Sequence, residues 1–171
     1  MRTMLFAVLL AIVAAAPAAA DAPDPRTAHV RPLTRESAAL LADATARCPV
    51  VQALVDDLGR TDVVVYVTDS TNGASRPLPA SLTFVSTAAG TRYLLVQVDR
   101  WHVSPWDRIA WLAHELEHAM EIARAPEVQD AESLSRFYKR VGWQHHGRCF
   151  ESAQAQATGT LARSQVAGSR R

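Results

Sequence analysis

The segment between Ser104 and Pro126 carries the longest helical pattern of the chain, and it limits the available folds more than any other feature. Ser104 followed by Pro105 is typical of a helix start, and Pro126 cannot continue a helix, so we predict a helix to about Arg124. Its apolar residues fall on one face at helical spacing: Ile109, Leu112, Leu116, Ala119, Met120 and Ala123. Such a face is stable only when other elements cover it, so this helix must pack inside a domain.

Three short segments rich in β-branched and aromatic residues come before this helix and are predicted strands: residues 62–68, 81–86 and 91–98. Residues 88–90 join the second segment to the third closely enough to predict a hairpin. Residues 69–79 are dense in turn-forming residues and are predicted to form a loop.

Helical periodicity also occurs before and after these elements. Residues 34–58 show it, with Thr34 as the expected N-cap, a break at Pro49 and an end at Gly59. The same periodicity returns around residues 130–141 and 148–161. The order predicts an α+β fold in which a small, mainly antiparallel sheet of about three strands packs on helices.

The first twenty residues have the pattern of a secretory signal peptide. Arg2 precedes an uncharged apolar run over residues 4–16, Pro17 breaks that run, and residues 18–20 are alanines. The apolar run is short for a membrane span, which needs about 20 residues. We therefore predict cleavage before Asp21 and an exported protein, secreted or periplasmic, with no membrane attachment after cleavage.

The remaining chain divides into three predicted parts. Residues 21–33 are rich in proline and charge and are expected to be an extended leader, residues 34–158 the folded domain, and residues 159–171 a flexible tail. Cys48 and Cys149 can form one disulfide in an exported protein, or each can be a small buried apolar residue. The sequence leaves both possibilities open.

The charge balance excludes one class of partner. The 171 residues include 18 Lys and Arg against 17 Asp and Glu, a net charge of +1 at pH 7. Nucleic-acid binding depends on a concentrated positive charge, which this composition does not provide. A hydrophobic content of 49% is sufficient for one ordinary core.

The central helix contains the sequence WLAHELEHAME, in which His114 and His118 are four residues apart. This spacing brings both imidazoles to one helical face, where they can bind one Zn²⁺. Glu115 lies between them, and its carboxylate can accept a proton from a zinc-activated water. We therefore predict His114 and His118 as metal ligands and Glu115 as the general base of a hydrolase.

The segment AHELEHAMEIA resembles the active-site helix of the gluzincin-type HExxH zinc metallopeptidases, whose third ligand is a glutamate on a later helix. The resemblance extends over about residues 91–150 and implies a zincin-like fold: a sheet, the active-site helix, and then a glutamate-bearing helix. It implies peptide-bond hydrolysis, and it assigns to residues 91–98 the role of pairing with an extended peptide substrate.

A catalytic zinc site needs a third protein ligand and one open position. The metzincin arrangement is excluded because Glu121 and Arg124 occupy its glycine and histidine positions. Glu151 is the preferred third ligand because it begins a predicted helix 33 residues after His118. The alternatives are Glu132, Glu127, Glu121 and one histidine of the pair His145 and His146; Glu121 is better suited to a supporting role.

Two positions depart from the family pattern. Glu117 adds a charge inside the motif, and Ala155 stands where thermolysin-type gluzincins carry an aspartate that orients a zinc-bound imidazole. That orienting partner must come from Asp107, Glu121 or a backbone carbonyl. Tyr138 is a candidate for stabilising the negative charge that develops in the transition state, as are His145, His146 and Arg148.

The sequence thus predicts an exported zinc metallopeptidase that acts on peptides or proteins. A non-catalytic module that keeps zinc for stability or for interaction is the alternative, and it would have four protein ligands. A hydrolase of non-peptide amides would share the same catalytic residues.

Overall fold

The computed structural model describes residues 28–70, 78–145 and 149–168. Its helices are α1 (Arg35–Arg47), α2 (Pro49–Leu58), α3 (Pro105–Ala123), α4 (Ala131–Val141) and α5 (Ala153–Gly168). Its strands are β1 (Val30–Pro32), β2 (Val63–Ser70), β3 (Ala80–Ala88), β4 (Thr91–Asp99), β5 (Trp143–His145) and β6 (Cys149–Glu151). The predicted signal peptide at residues 1–20 lies outside these described residues.

The α+β prediction is confirmed, since a four-stranded sheet packs on helices. The predicted strand arrangement is wrong. The strand order is β1-β2-β4-β3, and β2 pairs in parallel with both β1 and β4, while only β3 is antiparallel to its neighbour. The reason lies in β2, where Val63, Val64 and Val65 are consecutive buried residues. Such an unbroken apolar run is typical of an interior strand of a parallel sheet.

The hairpin between β3 and β4 is confirmed. Ala89 has φ 50° and Gly90 has φ 79°, and two consecutive residues in the left-handed region match the right-handed twist of paired strands. Glycine takes this conformation without steric cost, so Gly90 is suited to its position.

The C-terminal part differs from its prediction in two places. Residues 149–151 form β6 instead of the start of a helix, and they pair with β5 to make a second, two-stranded sheet. The expected flexible tail is helical as far as Gly168, because Ala162 and Val166 are buried against the core. Most of the buried residues of α5 are small, so the sequence shows little hydrophobic periodicity there.

Helix α3 is the central element, and it packs against β3, β4, α2 and α5. Ser104 caps its first turn by accepting a hydrogen bond from the backbone N–H of Asp107. Its C-terminal end is held by Arg92 of β4, which is 1% exposed and pairs with Asp62. The Arg92 guanidinium donates hydrogen bonds to the backbone carbonyls of Ile122, Ala123, Ala125 and Val128. These bonds fix α3 to the sheet and satisfy the carbonyls at its end.

The N-terminal part of the described chain belongs to the domain. Residues 30–32, predicted to be part of an extended leader, form edge strand β1, and Thr34 caps α1 as expected. Cys48 is a buried free thiol whose sulfur lies 3.2 Å from the Oε1 atom of Gln165.

Among the described residues no single helix has the length and hydropathy of a membrane span. Helices α1 and α2 have that length and hydropathy only when they are taken together, and the angle between the two helices is 113°.

Candidate metal centre

The two histidines of α3 and Glu151 of β6 come together as the sequence predicts. The Nε2 atom of His114 lies 3.3 Å from the Oε1 atom of Glu151, and the Nε2 atom of His118 lies 3.6 Å from the same oxygen. One ligand atom from each residue lies within 4.8 Å of the other two. The three side chains are between 7% and 13% exposed, so few water molecules can hydrogen-bond to their ligand atoms. This group can hold one metal ion.

Glu151 reaches the histidines from a strand, and not from the helix that the sequence predicts. The pairing of β6 with β5 sets Trp143 opposite Glu151. Gly142, just before β5, allows the two segments to approach closely, because a Cβ atom there would lie 2.2 Å from the carbonyl oxygen of Glu151. No other residue type fits at that distance, so Gly142 is part of what positions the ligand.

A second group of side chains holds the far side of the His118 ring. The Nδ1 atom of His118 lies 2.9 Å from the Oε2 atom of Glu121 and 2.9 Å from the hydroxyl of Tyr138. Tyr138 also donates a hydrogen bond to Glu121, and the hydroxyl of Ser152 donates one to the other Glu121 oxygen at 2.5 Å. Glu121 therefore supports a ligand, and its two hydrogen-bonded oxygens fix the orientation of the His118 ring.

Tyr138 lies close to the cluster, on the side of the His118 ring that faces away from Glu151. Its hydroxyl contacts Nδ1 of His118, whereas the opposite ring nitrogen, Nε2, faces Glu151. The tyrosine is 4% exposed and stacks on Phe150 with ring centroids 5.8 Å apart. In this position the hydroxyl of Tyr138 can hold the orientation of the His118 ring.

His114 receives its support from the backbone. The backbone of Ala155 lies next to its ring and partly opposes the lowering of the His114 pKa by burial and by His118. The residue that replaces the usual aspartate thus contributes through its main chain. Asp107, also considered for this role, instead bonds to Ser104 and Arg163.

The ionisation states follow from this arrangement. Burial alone would lower the pKa of His118, but hydrogen bonds to Glu121 and Glu151 outweigh it and raise the pKa to about 9. Burial and the neighbouring His118 lower the pKa of His114 to about 4. Burial favours the neutral forms of Glu121 and Glu151, yet contacts with the histidines hold both pKa values below the usual range. Burial and Glu121 raise the pKa of Tyr138.

The two other glutamates of the motif are also buried, at 5% exposure for Glu115 and 4% for Glu117. Glu117 is paired with Arg124 at 3.0 Å and accepts a hydrogen bond from Thr158, which explains how the motif tolerates the additional charge. Glu115 lies close enough to the cluster for its charge to raise the pKa values of His118 and Tyr138.

The structure does not bring the alternative ligands Glu132 and Glu127 to the cluster. Glu132 is exposed and pairs with Arg136, and Glu127 is exposed and pairs with Arg140. The side chain of His145, together with all of His146 and Arg148, lies outside the described residues.

The role that the resemblance assigned to residues 91–98 is contradicted. Strand β4 is paired on both sides, with β2 and with β3, so its backbone has no free edge for a substrate. The sequence pattern missed this because the burial of a strand depends on which neighbours pair with it. It also missed Gly142 and Ser152, for which the only sequence signals are a glycine after a helix and a serine before one.

A cavity of about 200 Å³ lies next to the cluster, between α3 and α5. His114 and Glu151 form part of its wall, and the remaining lining residues are Ala110, Trp111, Gln156, Gly159, Thr160 and Arg163. Gly159 makes the close packing of the two helices possible, because a Cβ atom at this position would lie 3.3 Å from Cβ of His114.

Comparison of the chain with protein-family models, with curated proteins and with solved structures gives no match.

Proposed function

We propose that this protein is an exported zinc-dependent metallopeptidase with a gluzincin-like site. The observation that carries the proposal is the convergence of His114, His118 and Glu151. In a tetrahedral zinc site with ligand distances near 2.1 Å, neighbouring ligand atoms are about 3.4 Å apart. The distances from the two histidine Nε2 atoms to Oε1 of Glu151, 3.3 and 3.6 Å, fit this spacing. Two imidazoles and one carboxylate form a ligand set of catalytic zinc sites, which keep a fourth position for water.

Three features of the chain further support this assignment. The central helix lies between the sheet and the segment that carries the glutamate, which is the order that the gluzincin resemblance implies. The Nδ1 atom of His118 is hydrogen-bonded to Glu121, as the second nitrogen of a metal-bound imidazole generally is to a carboxylate, and the backbone of Ala155 lies beside His114. The pattern of residues 1–20 supports export.

The chemistry would be divided among the residues as follows. When bound, zinc would lower the pKa of a coordinated water to about 7 and polarise the substrate carbonyl. His114, His118 and Glu151 would hold the ion, and Glu121 would keep His118 in the correct orientation. The Glu115 carboxylate would take a proton from the attacking water and deliver it to the nitrogen of the leaving amine as the peptide bond breaks.

Substitution of Glu115 tests this proposal. In Glu115→Gln we expect zinc content to stay at the wild-type level and peptide hydrolysis to fall by at least about 100-fold, since general-base catalysis contributes on that scale. Glu132→Gln is the control, because that glutamate is exposed and outside the cluster. Full activity in Glu115→Gln would contradict the proposed role, and zinc-loaded protein without chelator-sensitive hydrolysis of any peptide would contradict the function.

The low exposure of the three candidate ligands favours a second candidate, a non-catalytic module that keeps zinc for stability. Such a module would melt at a much lower temperature after chelation and would leave no coordination position for water. A zinc-loaded protein that binds a small zinc-chelating inhibitor without losing a protein ligand would favour the peptidase.

A further inference from the structure

We infer that the cavity between α3 and α5 binds an acidic side chain of the substrate and that Arg163 determines this specificity. The inference rests on the proposed function and names a substrate class for it: peptides with Asp or Glu beside the bond that is cleaved.

The cavity opens directly onto the candidate metal centre. His114 and Glu151 belong both to the cluster and to the cavity wall. Three polar residues of α5, one or two turns apart on the same helical face, complete the wall: Gln156, Thr160 and Arg163. A substrate group that enters the cavity is therefore adjacent to the reacting carbonyl.

Arg163 has donor capacity left for a ligand. Its Nε atom donates to the Oδ1 atom of Asp107 at 2.9 Å, and within the described part of the chain this is the only hydrogen bond of its side chain. The two terminal amino groups of a guanidinium form a planar fork that matches a carboxylate. Asp107 thus orients the arginine while leaving that fork available.

The distances suit one side chain. Arg163 lies four residues after Gly159, which is about 6 Å along the helix axis, and Gly159 packs against His114. One water molecule takes up about 30 Å³ in the liquid, so a cavity of about 200 Å³ has room for six or seven groups of the size of a water molecule. This is enough for one acidic side chain but less than the volume of a typical multi-residue binding site.

The surroundings favour an anion over a cation. Of the residues that line the cavity, Arg163 carries a positive charge and Glu151 a negative one. A bound metal ion would engage Glu151, and Asp107 occupies the Nε atom of Arg163, so the terminal amino groups of the guanidinium are the charged groups that face a ligand. Trp111 supplies an apolar wall, with its ring 5.4 Å from that of His114, on which the methylene groups of a glutamate can pack. A lysine or arginine side chain would meet repulsion in the same place.

Peptides that differ only in Glu, Gln or Lys beside the cleaved bond test the inference. With zinc-loaded wild-type protein we expect kcat/KM to be roughly tenfold or more higher for Glu than for Gln, the scale of a hydrogen bond to a charged group. Arg163→Ala should abolish the preference and Arg163→Glu should reverse it in favour of Lys. Arg140→Ala is the matched control, because its side chain is 58% exposed against 55% for Arg163, and it pairs with an acidic residue in the same way.

A binding measurement separates this inference from the proposed function. Two peptide hydroxamates, with Glu or Gln next to the zinc-chelating group, are titrated into zinc-loaded wild-type protein, Arg163→Ala and Arg140→Ala. Tighter binding of the Glu compound by wild type and Arg140→Ala, but not by Arg163→Ala, supports the inference. Equal affinities in wild type, or an unchanged preference in Arg163→Ala, overturn the inference and leave the peptidase intact. Failure of the protein to hold zinc or to cleave any peptide overturns both.

Discussion

Replacing Gly142 with alanine should remove Glu151 from the candidate metal centre without a change in any ligand. The added Cβ atom would lie 2.2 Å from the carbonyl oxygen of Glu151 and 3.4 Å from Cδ1 of Tyr138. Real Cβ atoms essentially never approach closer than 3.0 Å, so β5 and β6 must separate by about 1 Å. Ligand distances in metal sites vary by only about 0.2 Å, and the carboxylate would then leave the coordination sphere. We expect zinc affinity to fall by about 100-fold or more, to the level of Glu151→Gln.

Competition with a chromophoric zinc chelator at fixed pH gives these affinities directly. Gly168→Ala is the control, because nothing lies within 4 Å of a Cβ atom at that position, and it should bind zinc as the wild type does. Circular dichroism of the metal-free proteins shows whether Gly142→Ala keeps its fold. The double variant Gly142→Ala with Glu151→Gln should lose no further affinity, because both changes remove the same ligand. Wild-type affinity in Gly142→Ala, or additive losses in the double variant, would refute the reasoning.

Three further predictions concern the surroundings of the site. Glu121→Gln should lower zinc affinity by 10- to 100-fold in a chelator competition, because it removes a carboxylate that orients a candidate ligand. An unchanged affinity would show that Glu121 does not hold His118. Arg92→Met should lower the free energy of unfolding by about 3–5 kcal/mol in a urea titration, because it leaves several backbone carbonyls at the end of α3 without donors; the ion pair with Asp62, which is 44% exposed, contributes less. A loss below about 1 kcal/mol would contradict this. The pKa of His118 in the metal-free protein is about 9, so zinc must displace a proton when it binds this residue. Zinc affinity should therefore rise up to tenfold per pH unit between pH 6 and 8, and calorimetry should detect the release of about one proton. An affinity that does not change with pH would contradict that pKa.

The sequence predicts most of this fold where a local signal exists. Local signals act on their own neighbours, and three of them are found as predicted: Ser104 and Pro105 at the start of α3, Thr34 as the N-cap of α1, and the turn between β3 and β4. The parallel pairing of β2 depends on which strand lies next to it, and that is decided by tertiary packing. The run Val63–Val64–Val65 is the one local signal for an interior strand, and it does not indicate which strands lie beside it.

In the candidate site, too, local spacing is predictable from the sequence and long-range contacts are not. The spacing of His114 and His118 fixes their common face through helix geometry alone, and Glu151 is within reach of both. The contacts that support the candidate ligands join residues far apart in the sequence, and helix periodicity does not indicate them. Ser152 is 31 residues from Glu121 in the sequence, and Tyr138 is 20 residues from His118. The contact of Tyr138 with the Nδ1 side of His118 is likewise not indicated by the sequence, because a sequence does not show from which side a ring is approached.

Anomalous diffraction at the zinc absorption edge, from crystals of the zinc-loaded mature protein, tests the central claim most directly. We expect one strong peak at about 2.0–2.2 Å from Nε2 of His114, Nε2 of His118 and an Oε atom of Glu151, with the fourth position taken by water. A peak elsewhere in the chain, or a fourth protein ligand in place of the water, would contradict the account.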